Sequence, residues 1–334
     1  MKRRPKIIER IIAELRGSQN LCVVGHGRPD GDCIGSQMGL TLALLNQGKS
    51  MTCWNEDALP QKLAFLDPNH LIQPPRPGMA FDCVIALDVA SMERLGRTAE
   101  HIQNRKLFIN IDHHQSNTRY ADINWVSSRT PSTGELIYRL LKEANWPISP
   151  QIADCLFTAV STDTGSFQYP STRPSTYYVA GELVKRGAHL ATICQEVYQS
   201  FPLSRVRLLQ HVFNHFHLTN NNRIGYFWLR PADFVRTGTN VSDSEGLIDH
   251  IRAIEPVEVA CLFEELEPNV IRVSLRSKNT HVNVNEIAKQ FGGGGHNAAA
   301  GARITGGPLA VQRRVIAAIR EALPANVLDR HASL

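Results

Sequence analysis

The sequence predicts an α/β protein of two domains, each with a sheet of its own. Three observations carry this. Short β-branched, apolar runs recur through the first half and alternate with segments of helical period. A strand-free helical stretch then precedes a second alternating region. The chain, 334 residues long and 43% hydrophobic, is about two ordinary domains in length and can bury a substantial core. The expected division is a first domain over 1–200, a helical linker over 201–217 and a smaller domain over 218–334.

Each element has its own signal. The opening MKRRPKIIERIIAELRG sets Ile8, Ile11, Ile12 and Leu15 on one helical face, unlike the uninterrupted apolar core of a signal peptide. LCVVGH (21–26) reads as a buried strand, and CIGSQMGLTLALLNQG (33–48) as a helix with Ile34, Met38, Leu42 and Leu45 on one face. MTCW (51–54), DCVIALD (82–88) and KLFINID (106–112) repeat the strand signal; runs apolar on both faces fit a parallel sheet. Helices follow over 134–144, 151–160, 175–187 and 191–199, the third stopped by Gly187. From Pro202 to about His217 the chain is again helical. Beyond it come a strand at 224–229, a helix near 244–253, strands at 257–264 and 270–276, and helices at 283–291 and 308–322.

Composition narrows the function. Lys plus Arg number 36 against 31 Asp plus Glu, and a net +5 spread along the chain is too weak for a track that grips long duplex nucleic acid. Small anionic substrates remain compatible. The seven cysteines, Cys22, Cys33, Cys53, Cys83, Cys155, Cys194 and Cys261, form no C-x-x-C pair, so neither a zinc knuckle nor a disulfide framework is expected. No run approaches the roughly 18 to 20 apolar residues of a membrane helix. The expectation is a soluble cytoplasmic protein that does not engage membranes.

The strongest local signal is HGRPDGD, where His26 ends the first strand and Asp30 and Asp32 follow in a loop that feeds a helix. Ligands of open α/β sheets bind at that end of the strands. Taken alone, the two acids read equally well as metal ligands or as helix-capping residues. Repetition decides between them. VIALD ends in Asp88, FINIDHH ends in Asp112, His113 and His114, and the helix of DCLFTAV runs into STDTGSF with Asp163. A set of carboxylates and imidazoles without thiolates favours Mn²⁺ or Mg²⁺ over structural zinc. Two such ions about 3.5 to 4 Å apart suit in-line hydrolysis of a phosphate ester.

H-x-x-P-D-G-D, a lone strand-end Asp, D-H-H, S-T-D-T-G and a late G-G-G-G-H occur in this order between about residues 20 and 322. With them the sequence resembles the DHH phosphoesterases that carry a DHH-associated C-terminal domain. Within these it looks most like the bacterial nano-RNases that also dephosphorylate 3′-phosphoadenosine 5′-phosphate. The resemblance implies that His26, Asp30 and Asp88 hold one ion, and that Asp32, Asp88, His113 and Asp163 hold the other, with Asp88 shared. It implies that Asp112 orients His113 and that His114 meets the scissile phosphate or assists the leaving group. It implies an active site in the cleft between the domains, two divalent ions as cofactors, with Mn²⁺ ahead of Mg²⁺, and a short oligonucleotide or a mononucleotide bisphosphate as substrate.

The glycine run of GGGGHNAAAG lets backbone approach a ligand, and it lacks the G-K-[ST] ending of a P-loop. A glycine run alone is more often a linker. Beside Arg272, Arg276 and Lys278 the substrate reading is preferred, and the resemblance gives Arg276, Gly293, Gly294, Gly295 and His296 the distal end of a nucleotide. Phe167 and Tyr169 read either as base-stacking residues or as core. Two positions depart from the family pattern: Cys33, where relatives carry a small residue such as Ala, and Asn297, where they often carry Lys. A thiol beside a ligand is open to oxidation. Three other functions compete: a cyclic dinucleotide phosphodiesterase, an inorganic pyrophosphatase and a nucleotide-binding module without turnover. The glycine motif counts against the second, and the full ligand set against the third. A homodimer is expected only on the general frequency of dimers.

Overall fold

The computed structural model describes residues 6–278 and 281–324. The chain divides after Ser200 into two compact units. The first contains α1 (Lys6–Gly17), β1 (Asn20–Val24), α2 (Gly31–Leu45), β2 (Ser50–Trp54), β3 (Ile72–Gln73), β4 (Phe81–Leu87), α3 (Thr98–His101), β5 (Arg105–Asp112), β6 (Ile123–Val126), α4 (Thr133–Ala144), α5 (Pro150–Asp163), α6 (Pro174–Lys185) and α7 (Leu190–Tyr198).

Its six strands run in the order β3-β2-β1-β4-β5-β6, all parallel. Leu21 to Val24 and Cys83 to Leu87 are fully buried, as strands covered on both faces must be. The chain winds outward from β1 to β3, then returns to β4 and winds the other way. The switch therefore falls between β1 and β4, and the crevice beyond their carboxyl ends is where this architecture places ligands. Ile34 and Met38 from α2 and Ile152 and Leu156 from α5 join one core cluster with the sheet. Glycines on α2 bring its backbone onto α5: a Cβ at Gly35 would lie 2.3 Å from the Cys155 carbonyl, and one at Gly31 would lie 2.4 Å from Thr162 Oγ1. Only glycine permits that approach.

The second unit contains α8 (Leu203–His215), β7 (His217–Thr219), β8 (Ile224–Leu229), α9 (Pro231–Thr237), α10 (Leu247–Arg252), β9 (Val259–Glu267), β10 (Val270–Ser277), α11 (Val284–Lys289), β11 (Gly294–His296), β12 (Ala299–Thr305) and α12 (Pro308–Ala322). The sheet order is β11-β12-β10-β9-β8-β7, with only β8 and β9 parallel. One face packs on α11 and α12 through Ile271, Val273 and Leu275, and the other packs on α8, α9 and α10 through Phe227 and Leu229.

Several expectations are corrected. The stretch read as a linker is not a spacer, because Leu208 and Val212 of α8 are buried in the core of the second unit. α8 ends at His215, and β7 follows at once. The α2 helix begins at Gly31, before the expected Cys33, because Asp30 caps it. The glycine run is partly strand β11, an edge strand paired to β12. β12 itself gave no signal, since Ala299, Ala300, Gly301 and Ala302 lack the bulky side chains that mark strands. The short elements β3, β6, α3 and α9 also lack a clear signal in the sequence.

Candidate metal centre

β1 and its following turn deliver His26, whose Nδ1 lies 2.9 Å from the Gly27 carbonyl oxygen. Its Nε2 faces Asp88 Oδ2 at 3.4 Å and Asp30 Oδ1 at 3.9 Å. Asp30 is the N-cap of α2, its Oδ1 accepting from the amides of Asp32 and Cys33 at 3.1 and 3.0 Å. The capping and site readings of this residue are thus compatible: one carboxylate ends the helix and faces His26.

Asp32 is buried, and the start of α4 holds it. The amides of Thr133 and Gly134 donate to Oδ2 and Oδ1 at 2.7 and 2.8 Å, and Ser36 adds a bond at 3.2 Å. Asp88 has φ of 60°, a left-handed conformation that Asp tolerates better than most residues. Its Oδ2 faces His26 and its Oδ1 faces His113 Nε2 at 3.3 Å, with the Thr133 hydroxyl donating to Oδ1 at 3.0 Å. His113 Nε2 also approaches Asp163 Oδ2 at 3.3 Å and Asp32 Oδ2 at 3.6 Å. Asp163 is the last residue of α5, brought there by the close crossing with α2.

Among the groups of potential ligand atoms within 4.8 Å of one another are His26 with Asp30 and Asp88, Asp32 with His113 and Asp163, and Asp88 with Asp112 and His114. The donor set of the first two fits hard divalent ions: four carboxylates and two imidazoles with no thiolate. The electrostatics agree. Burial, then Asp88 and Asp163, pushes Asp32 well above the usual carboxylate range. Burial, then Asp88 and Asp30, raises Asp163 to about 6 against the pull of His113. Burial also opposes charge on Asp88, but the His113 and His26 hydrogen bonds hold it well below its ordinary value. His113 rises despite burial because Asp163 and then Asp88 favour its protonated ring. Protons shared within this cluster of acids and imidazoles thus balance charge that divalent ions would balance instead.

The expected partner of Asp112 is corrected. Its Oδ1 lies 2.8 Å from His114 Nδ1, whereas His113 Nδ1 lies 3.2 Å from the Thr130 carbonyl oxygen. Alternate residues of the strand end face the same way, so the carboxylate meets the ring two positions on. Cys33 is fully buried, 3.5 Å from Gln37 Oε1, and burial raises its thiol although His26 beside it pulls the other way. Phe167 stacks on Tyr177 at 5.4 Å and packs against the core, and Tyr169 fills the space a side chain at Gly165 would need. The sequence reading missed Thr133, Asn110 and Asn117, whose only signals were a polar pair before α4 and two amides around D-H-H.

In the second unit, Arg276 pairs with Ala299, which pairs in turn with His296; Ser274, Gly301 and Gly294 form a second such row. Directly opposed residues share a face, so Arg276 and His296 flank a floor of small side chains. A Cβ at Gly293 would lie 2.1 Å from the Gly301 carbonyl, so this glycine also serves the β11–β12 approach. Arg272 is tied to the buried Glu264, and Lys278 donates to the carbonyls of Ile254 and Glu255. Of the three basic residues considered from sequence, Arg276 is the one whose described hydrogen bond is only to a neighbouring carbonyl, that of Leu275.

A parallel sheet that gathers carboxylates and imidazoles at its switch point is an architecture for divalent-metal chemistry. The chain belongs to the DHH family: the DHH family N-terminal domain matches residues 20–160 and the DHHA1 domain matches residues 226–324. It is 30% identical over 298 residues to a protein of Streptococcus mutans named probable bifunctional oligoribonuclease and PAP phosphatase NrnA, covering 87% of this chain and 92% of that one. A Thermus thermophilus protein named bifunctional oligoribonuclease and PAP phosphatase NrnA is 30% identical, with 95% and 94% covered. Among solved structures, an exopolyphosphatase-related protein from Bacteroides fragilis superposes with a TM-score of 0.84 at 26% identity, covering 95% of this chain and 96% of that one. By membership the protein is an enzyme of the DHH family.

Proposed function

We propose that this enzyme hydrolyses very short oligoribonucleotides to nucleoside monophosphates and removes the 3′-phosphate of 3′-phosphoadenosine 5′-phosphate. The observation that carries the two-ion reading is Asp88, whose Oδ2 faces the His26 ring while its Oδ1 faces the His113 ring, with His114 also 3.5 Å from Oδ1. His26, Asp30 and Asp88 hold one ion, and Asp32, Asp88, His113 and Asp163 hold the other, with Mn²⁺ preferred to Mg²⁺. When bound, such a pair activates water, neutralises phosphate oxygens and stabilises the leaving oxygen. The carbonyls of Gly27 and Thr130 fix the Nδ1–H tautomers of His26 and His113 and direct Nε2 to the ions. His114, held through Nδ1 by Asp112, meets the scissile phosphate.

Arg276, His296 and the backbone of Gly293, Gly294 and Gly295 bind the other end of the nucleotide, a planar guanidinium being suited to grip a phosphate at two points. The names of the relatives support these substrates. Seven free cysteines support a reducing cytoplasm. Among the described residues no helix is long and apolar enough to cross a membrane. The proposal includes a homodimer, which light scattering would check.

The test is parallel incubation of the Mn²⁺-loaded protein with 3′-phosphoadenosine 5′-phosphate, RNA of about two to ten nucleotides and cyclic di-adenylate. Turnover should be fastest on the shortest RNAs and on the bisphosphate. Preference for the cyclic substrate would overturn the assignment.

A further inference from the structure

We infer that Asn117 is a positioning residue that acts on the reaction through Asp112 and His114; the inference rests on the role proposed for His114. Asp112 is fully buried, and its two oxygens are divided. Oδ1 takes the His114 ring at 2.8 Å, and Oδ2 accepts from Asn117 Nδ2 at 2.6 Å. The orientation of the Asn117 amide is itself fixed, because its Oδ1 accepts from the Arg119 amide at 2.7 Å. The same Nδ2 donates to Asn110 Oδ1 at 2.7 Å, and Asn110 is fully buried and donates to the carbonyls of Ala86 and Val89. The chain Asn110, Asn117, Asp112, His114 therefore runs from the end of β4 to the ring without a break.

A buried carboxylate bonded on one side alone could rotate about its side-chain torsions and release the imidazole. Asn117 occupies the other oxygen and removes that freedom. The contact of Asn117 with the Val89 carbonyl, at 3.2 Å, is shared with Asn110 and with the Tyr120 hydroxyl at 3.1 Å. Loss of Asn117 leaves that carbonyl two donors and leaves the Asp88 turn supported. What Asn117 alone supplies is the hold on Asp112 and, through it, on His114, whose Nδ1 also lies 3.5 Å from Asp88 Oδ1.

The experiment is a double-mutant cycle on the Mn²⁺-loaded full chain with an RNA dinucleotide. Asn117→Ala should lower kcat by about 10- to 100-fold while KM and bound metal stay near wild type. In a His114→Ala background the same change should alter kcat by less than about twofold, because a residue acting only through His114 has nothing left to act on. Tyr120→Phe, which removes one donor from Val89 and leaves Asp112 intact, should stay within about twofold of wild type. Losses that multiply across the cycle, a fall in bound metal, or a large Tyr120→Phe effect would each overturn the inference. If Asn117→Ala does not fold, Asn117→Leu, which is close to Asn in shape and cannot donate to Asp112, enters the same cycle with the same two outcomes. A wild-type protein that hydrolyses none of the short nucleotides would instead defeat the functional reading itself.

Discussion

Asp88 carries two burdens at once. It holds a left-handed backbone, and it divides its two oxygens between His26 and His113. Asn tolerates the same backbone conformation and has the same shape, so Asp88→Asn isolates the charge. We expect the circular dichroism of the metal-free protein to be unchanged and kcat to fall by about a thousandfold or more. Normal turnover would show that Asp88 is not shared. Asp163 supplies a pH prediction. Its folded value, about 6, lies above the ordinary carboxylate, so the metal-free fold takes up a proton that the unfolded chain does not. That fold is therefore favoured on the acid side, and loses the contribution as pH rises through this value. A divalent ion needs the ionised form. The gain in Tm from saturating Mn²⁺ should grow between about pH 5 and 7, as scanning fluorimetry would read it. A gain that shrinks over that interval would contradict the assignment.

At the scale of elements, the site depends on how closely α2 approaches α5. Gly35→Ala sets a Cβ 2.3 Å from the Cys155 carbonyl, a backbone atom that cannot swing away. The helices must part, which separates Asp30 and Asp32 from Asp163. A loss of about 1–3 kcal/mol in denaturant unfolding is expected, together with weaker metal binding. Gly181, on α6, faces open space: a Cβ there would meet no described atom within 4 Å, so Gly181→Ala should be neutral or stabilise by up to about 1 kcal/mol. The strand ends bearing His26, Asp88 and Asp112 were legible because buried parallel strands are long apolar runs that stop at a polar residue. The clamp of α4 on Asp32 was not, since it joins residues 101 and 102 positions apart. Nor was the pairing of Asp112 with His114, because two adjacent histidines look alike until the turn after β5 is known.

For the whole molecule, parallel winding in both directions from β1 and β4 is what turns scattered acids into one centre. The alternation of the chain predicted that sheet, but the second sheet was read only in part. Its edge, β11 and β12, is made of glycine and alanine, which serve close approach in place of side-chain packing. The same small residues form the floor between Arg276 and His296. The proposed site is a two-ion centre shared through Asp88. Anomalous diffraction from Mn²⁺-soaked crystals tests it most directly: two peaks about 3.5 to 4 Å apart with the Asp88 carboxylate between them are expected, whereas a single peak, or a pair that Asp88 touches on one side only, would contradict it.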